Sequence, residues 1–168
     1  RVLAILAMGM ASGLPYVLIV STLGYWLARL GVDLAAIGLF GLVALPYAWK
    51  VVWAPVLDRA KPPPFFRRLG RRRGWAVPVQ LALAGAIVAL GLADPAERPE
   101  LVALLALAVG FLGASQDIVV DAIRIELLKA DEQGAGAAAT QLGWRVGGLA
   151  AAAGGVRLSD LVGRPAVF

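Results

Sequence analysis

Four ionisable residues lie inside otherwise apolar stretches of this chain: Lys50, Asp117, Asp121 and Arg145. A charge at the centre of a membrane helix costs about 2.5–3.5 kcal/mol on insertion scales, so such a residue faces a helix-bundle interior or a wet cavity. The sequence contains no histidine. Proton transfer within these stretches therefore depends on aspartate or glutamate.

The acidic candidates share one helix face. Asp117, Asp121 and Arg124 are spaced i, i+4 and i+7, and Gln116 stands beside them. Burial and a nearby cation act in opposite directions on the proton affinity of a carboxyl group. Where they balance, the group exchanges a proton near neutral pH, which makes Asp117 the candidate for proton coupling. The alternative is an ion pair that only holds helices together, and we favour it for Asp121, with Arg59 or Arg124 as its partner.

The two cations differ in predicted depth. At about 1.5 Å of rise per residue, Arg145 lies about 16 Å into its helix, near the midplane. Lys50 and Asp117 lie nearer the cytoplasmic face, at depths that allow them to pair. Since one deep carboxylate cannot neutralise two cations, we expect Lys50 and Arg145, together with Gln116, to contact anionic groups of a substrate.

A metal-dependent enzyme is the alternative suggested by the same acidic residues. Gly113, Asp117 and Asp121 match the second half of the metal motif of membrane CDP-alcohol phosphotransferases. The first half of that motif, with its two aspartates, is absent from the preceding stretch, and the chain has no cysteine. We therefore predict no catalytic residue, no metal and no cofactor.

The composition is that of a membrane protein. Hydrophobic residues make up 60% of the chain and charged residues 16%, against about 25% charged in soluble domains. Five stretches approach the roughly 20 apolar residues that a membrane helix needs: residues 2–30, 34–57, 75–93, 101–120 and 134–158. A sixth begins near Pro165. We predict an all-α, polytopic helical membrane protein and expect the chain to be a fragment.

The loop charges predict an orientation. The loop after the second stretch is strongly basic, and the next loop is acidic, with Asp94, Glu97 and Glu100. Lysine and arginine in short loops favour the cytoplasm, so the basic loop and the N-terminus are placed inside. The basic residues behind the net charge of +5 flank membrane spans, which argues against nucleic acid as a partner.

Asp58-Arg59 followed by Gly70-Arg71-Arg72-Arg73 resembles the loop signature of the major facilitator superfamily. A more specific resemblance, to the AmpG-type muropeptide permeases of that superfamily, extends in order through all five stretches. Its residues include Ser12-Gly13-Leu14-Pro15, Leu45-Pro46-Tyr47, Trp53-Ala54-Pro55, Ala114-Ser115-Gln116-Asp117 and the series Gly143, Arg145, Gly147. The chain departs from that family's pattern at Ile123 and Gln133.

The resemblance implies an alternating-access transporter of which this chain is part of the N-terminal half, with the C-terminal half absent. Each half in the superfamily is built from inverted repeats of three helices. The family imports anhydromuropeptides, anionic fragments of the cell wall, across the bacterial inner membrane together with protons. A monomer surrounded by lipid is expected. Alternatives are a facilitator of another anion such as acetyl-CoA, or a membrane sensor or scaffold that does not transport.

The resemblance also gives the basic loop a mechanical role. A cytoplasmic gate would latch the ends of neighbouring helices in the outward-open state and release during transport. We assign it the charged residues of the loop and of the facing helix end: Asp58, Arg59, Arg71, Arg72, Arg73, Asp121, Arg124 and Glu126.

Overall fold

The computed structural model of the chain describes residues 1–33, 37, 38 and 40–161. Helices account for 87% of the structure and the described residues form no strand, which confirms the all-α class. Residues 34–36 and 39 of the second predicted stretch, and the sixth stretch near Pro165, lie outside the described residues.

The first membrane segment is a helix with an irregular turn. Helix α1 (Val2–Val17) passes through a π-helical turn (Leu18–Thr22) into α2 (Leu23–Arg29). Pro15 lies inside α1 and has no N–H to donate, and such a gap in the helical ladder is a common cause of irregular turns. Together these elements form an apolar segment of 28 residues, which is long enough to cross a membrane.

The second segment is broken into short helices. Helices α3 (Leu45–Trp49) and α4 (Ala54–Arg59) are separated by a 3₁₀ turn, Lys50–Val52, and another 3₁₀ turn, Gly41–Ala44, precedes α3. Each helix has a proline in its first turn, Pro46 or Pro55. Proline suits the start of a helix and interrupts one that is already running. Within the predicted stretch 34–57 the described backbone is therefore segmented.

Three long helices complete the described chain: α5 (Arg71–Leu92), α6 (Pro99–Leu127) and α7 (Gln133–Leu161). Gly70, with φ of 82°, provides the left-handed turn before α5. Among the described residues, Val2–Arg29, α5 and α6 are long and apolar enough to cross a membrane. The 29-residue α7 contains the fifth predicted stretch, 134–158, whose membrane crossing stays a prediction.

Helix α6 lies at the centre of the packing. Half of its most apolar window is buried, against 22% for α5. The largest buried cluster joins it to α2, α5 and the 3₁₀ turn before α3, through Ile19, Leu23, Leu27, Val43, Leu83, Leu90, Val102, Ala106 and Val109. This core holds α6 between its neighbours and so fixes the helix that carries Asp117.

Helices α1 and α7 pack backbone against backbone through two glycine pairs. A Cβ atom on Gly9 or Gly13 would collide with carbonyl oxygens of α7, and one on Gly143 or Gly147 would collide with carbonyl oxygens of α1. Small residues at four-residue spacing allow such close approach. The oxygens concerned belong to Thr140, Trp144, Leu6 and Met10.

Gly13→Ala is expected to lower the free energy of unfolding by about 1–3 kcal/mol, the usual cost of overpacking a close contact. Thermal unfolding in detergent measures it. Gly85→Ala is the matched control, since a Cβ there meets nothing within 4 Å and alanine favours a helix. Equal unfolding temperatures for the two variants would contradict the close packing.

Candidate functional site

An ion pair connects the broken second segment to the buried helix α6. Lys50 Nζ donates to Asp117 Oδ2 at 3.2 Å, and the two side chains are 31% and 14% exposed. Lys50 lies in the 3₁₀ turn between α3 and α4. The structure therefore brings together the two residues for which the sequence predicts similar depths.

The pair opens into a cavity of about 350 Å³ between α1, α3, α6 and α7. Such a volume lies within the roughly 300–1,000 Å³ range of small-molecule sites. Polar and aromatic side chains dominate its lining, which consists of Ser12, Tyr16, Tyr47, Lys50, Asp117, Val120, Asp121, Thr140, Gln141 and Trp144. We call it the polar cavity.

Aromatic rings form one side of the polar cavity. The ring centroid of Tyr16 lies 5.0 Å from that of Tyr47, edge to face, and 5.5 Å from that of Trp144. The Tyr47 hydroxyl packs directly against Gly113, where any Cβ would collide with it. The positions of the charged residues do not predict that these rings line the cavity. The feature of the sequence that indicates them is the presence of tyrosine and tryptophan within apolar helices.

A second cluster of charges ties α4, α5 and α6 together. Arg72 donates from Nη1 to Asp58 Oδ1 at 2.5 Å and from Nε to Glu126 Oε1 at 2.7 Å. Arg71 also approaches Glu126, at 4.0 Å. The Arg72 side chain is 20% exposed and its two acceptors about half exposed. We call these four residues the charge cluster.

The other residues predicted for the gate lie outside the charge cluster. Arg124 Nη2 donates to Asp121 Oδ1 at 3.3 Å, one turn along α6. Arg59 and Arg73 are exposed, and neither forms an ion pair with any residue that the structure describes. The predicted gate is thus divided into the charge cluster, the separate Asp121–Arg124 pair and two exposed arginines.

A second cavity, also of about 350 Å³, lies between the polar cavity and the charge cluster. Asp58, Arg72 and Glu126 line it, and Lys50 and Asp121 line both cavities. Lys50 therefore lies at the boundary between the two cavities. Of the two aspartates of α6 nearby, Asp117 lines the polar cavity and Asp121 lines both cavities.

Two predicted substrate contacts lie elsewhere. Gln116 is 3% exposed and lines a third cavity, with Arg73 and Gln80 among mainly apolar residues of α1, α5 and α6. Arg145 is exposed on α7 beside Trp144, and it forms no ion pair within the described chain. Along the described ranges no group of three or more acidic, histidine or cysteine residues is arranged to hold a metal.

Comparison with known proteins supports the resemblance predicted from the motifs. The profile of the family described as Acetyl-coenzyme A transporter 1 matches residues 2–98. The anhydromuropeptide permease of Escherichia coli K12 is 44% identical over 156 residues, which are 93% of this chain and 31% of that protein. Putative transporter AmpG 4 of Rickettsia felis is 34% identical over 163 residues, 97% of this chain and 39% of its own. The chain thus spans between three tenths and four tenths of the length of these relatives.

Lys50→Gln is expected to destabilise the protein by about 1–3 kcal/mol, because it leaves the Asp117 carboxylate without its partner. The double variant Lys50→Gln/Asp117→Asn is expected to be more stable than Lys50→Gln, since it removes both charges. Thermal unfolding of the two single variants and the double variant measures the coupling. The exposed pair Arg1–Glu132, at 3.9 Å, serves as a control with coupling near zero. Additive effects of the Lys50 and Asp117 changes would contradict the pairing.

Proposed function

The chain belongs to the transporter family described as Acetyl-coenzyme A transporter 1, and on that premise we propose that it is part of an importer of anhydromuropeptides in the bacterial inner membrane. It is a multi-pass membrane protein with relatives named as permeases. The observation that carries the proposal is the Lys50–Asp117 pair, which lines the polar cavity among membrane helices. Ionisable residues so placed are typical of substrate and proton pathways.

We assign proton coupling to Asp117. While its carboxylate is charged, it holds Lys50 at 3.2 Å. A proton on Asp117 removes the attraction and leaves the ammonium group of Lys50 unpaired at the boundary of the two cavities, which Asp121 also lines. Protonation of one side chain would thereby change the charge distribution of the cavity that leads to the charge cluster.

We assign the charge cluster to the cytoplasmic gate. Arg72 connects the end of α4, through Asp58, to the end of α6, through Glu126. These helix ends cannot separate unless those hydrogen bonds break. A transporter that opens to the cytoplasm requires such a separation, with the N-terminus and the basic loop on the cytoplasmic side.

We assign Arg145 to the carboxylates of the cargo. Lys50 is already paired, so Arg145 is the deep cation of the predicted two that has no acidic partner within the described residues. A guanidinium group binds carboxylates in a bidentate manner. Acetyl-coenzyme A is a second candidate cargo, favoured by the family description, and it is also an anion. Uptake of labelled acetyl-coenzyme A in place of muropeptide by the full-length protein would favour it.

Asp117→Asn is expected to abolish the pH dependence of muropeptide accumulation, because asparagine cannot carry the coupling proton. Uptake of labelled anhydromuropeptide into vesicles is measured with and without an imposed proton gradient, using the full-length protein. Asp94→Asn makes the same chemical change in the loop before α6 and is expected to behave like the wild type. Gradient-driven accumulation by Asp117→Asn at the wild-type level would exclude this residue from coupling.

Arg72→Gln is expected to favour cytoplasmic opening about two- to fivefold, the ratio that a partly exposed ion-pair network can supply. Ala122→Cys places a thiol in the wall of the second cavity, and its rate of modification by a cytoplasmic thiol reagent reports the opening. Arg73→Gln removes the same charge one residue away, where no described acid pairs with it, and should leave the rate unchanged. Identical rates in the Arg72 and Arg73 variants would argue against the gate.

A further inference from the structure

We infer that the loop between α4 and α5 binds anionic phospholipids. Phe65 enters the acyl-chain boundary of the membrane, and Lys61, Arg67 and Arg68 bind the lipid phosphate groups. We call these four residues the lipid anchor. None of them belongs to the charge cluster or lines the polar cavity, so the inference is independent of the cargo.

The exposed aromatic ring of the loop lies where the chain enters the membrane. Phe65 is 93% exposed, the largest fraction among the exposed large hydrophobic residues of the described chain. It belongs to a 3₁₀ helix, Pro64–Leu69, which only Gly70 separates from the candidate membrane helix α5. Apolar side chains at this level are stabilised by entering the boundary between headgroups and acyl chains.

Basic residues flank this ring, and no acidic residue occurs between positions 59 and 70. Lys61, Arg67 and Arg68 are exposed, and none of them forms an ion pair with a residue that the structure describes. A 3₁₀ helix has three residues per turn, so Phe65 and Arg68 lie on the same side of it. One surface therefore offers a ring for acyl chains and a cation for headgroups.

Charge complementarity selects anionic phospholipids as the partner. A lysine or arginine close to the membrane surface is attracted to anionic lipids, and the attraction increases with each added cation. A guanidinium group also matches the geometry of a phosphate, to which it donates two hydrogen bonds. A zwitterionic lipid carries its own cation, which the basic loop would repel.

Contacts with the start of α5 hold the loop in shape. Trp75 Nε1 donates to the carbonyl oxygen of Ala60 at 3.2 Å, and Arg67 Nε donates to that of Pro62 at 3.1 Å. Gly74 lets the loop touch α5, since a Cβ there would collide with the ring of Pro62. Consecutive prolines restrict the backbone before the exposed ring. Because the surface is formed in advance, binding a lipid costs little ordering of the loop.

Phe65→Trp in the full-length protein tests the lipid anchor, because brominated acyl chains quench a tryptophan that lies among them. The protein is reconstituted in vesicles of phosphatidylcholine, of phosphatidylglycerol and of their mixtures, with either lipid brominated. The signal of the unsubstituted protein is subtracted, since it contains other tryptophans. In the same background, Arg68→Gln removes one cation of the anchor. The control Arg98→Gln removes an exposed cation from the loop before α6.

The new tryptophan is expected to be quenched by brominated chains and protected from acrylamide in the water. Mixtures should show tighter binding of phosphatidylglycerol than of phosphatidylcholine beside it. Arg68→Gln should lower this preference about two- to fivefold, the effect of one basic residue near the surface, and Arg98→Gln should leave it unchanged.

Quenching by acrylamide but not by brominated chains would overturn the lipid anchor, and so would protection from both, which would indicate that protein covers the loop. Equal binding of the two lipids, or an equal fall in preference in both glutamine variants, would overturn the phosphate contacts. The measurement involves no cargo. Absence of muropeptide uptake would therefore overturn the proposed function and leave the lipid anchor intact.

Discussion

A charge among apolar helices needs an opposite charge beside it, and the arrangement of this protein around Lys50 and Asp117 follows from that need. Desolvation of either group alone is far costlier than burial of the pair. Asp117 lies on α6, the candidate membrane helix whose apolar window is the most buried and which contributes to the largest buried cluster. Lys50 lies in a 3₁₀ turn between two helices that each have a proline in the first turn. The break in the helix thus sets the direction of the Lys50 side chain toward Asp117. A continuous α-helix would turn position 50 to a different direction.

The polar cavity beside this pair is bounded by backbone contacts, which have little freedom to adjust. The glycines of α1 and α7 bring the two helices close enough for Tyr16 to meet Trp144. Because Gly113 has no side chain, the Tyr47 hydroxyl can pack directly against α6. Large side chains at such contacts could repack around a ligand, whereas touching backbones cannot. The position of the aromatic rings relative to the ion pair is therefore largely set before any cargo arrives.

The helical class and the proximity of Lys50 to Asp117 could be predicted from the sequence, because hydrophobicity and rise along a helix axis decide both. The direction in which a residue faces could not. Gln116 and Asp117 are adjacent, yet successive residues point about 100° apart around a helix, so they line different cavities. The same limit applies to the gate: Arg72 and Arg73 look equivalent in the sequence, but only the approach of α6 decides that Arg72 meets Glu126.

Lys50 lies at the boundary between the two cavities and so connects the polar cavity to the charge cluster. The Lys50 side chain lines both cavities, as does Asp121, whereas Asp117 lines only the polar cavity. Asp121 is already hydrogen-bonded to Arg124, and Lys50 is paired with Asp117, so an event that weakens this pair leaves the ammonium group without its partner at the boundary of the two cavities. The second cavity is also lined by Asp58, Arg72 and Glu126, where an added positive charge competes with Arg72 for the same acids. A change in protonation or ligand at the polar cavity would thus reach the charge cluster through one side chain, without a rearrangement of the glycine-packed helices.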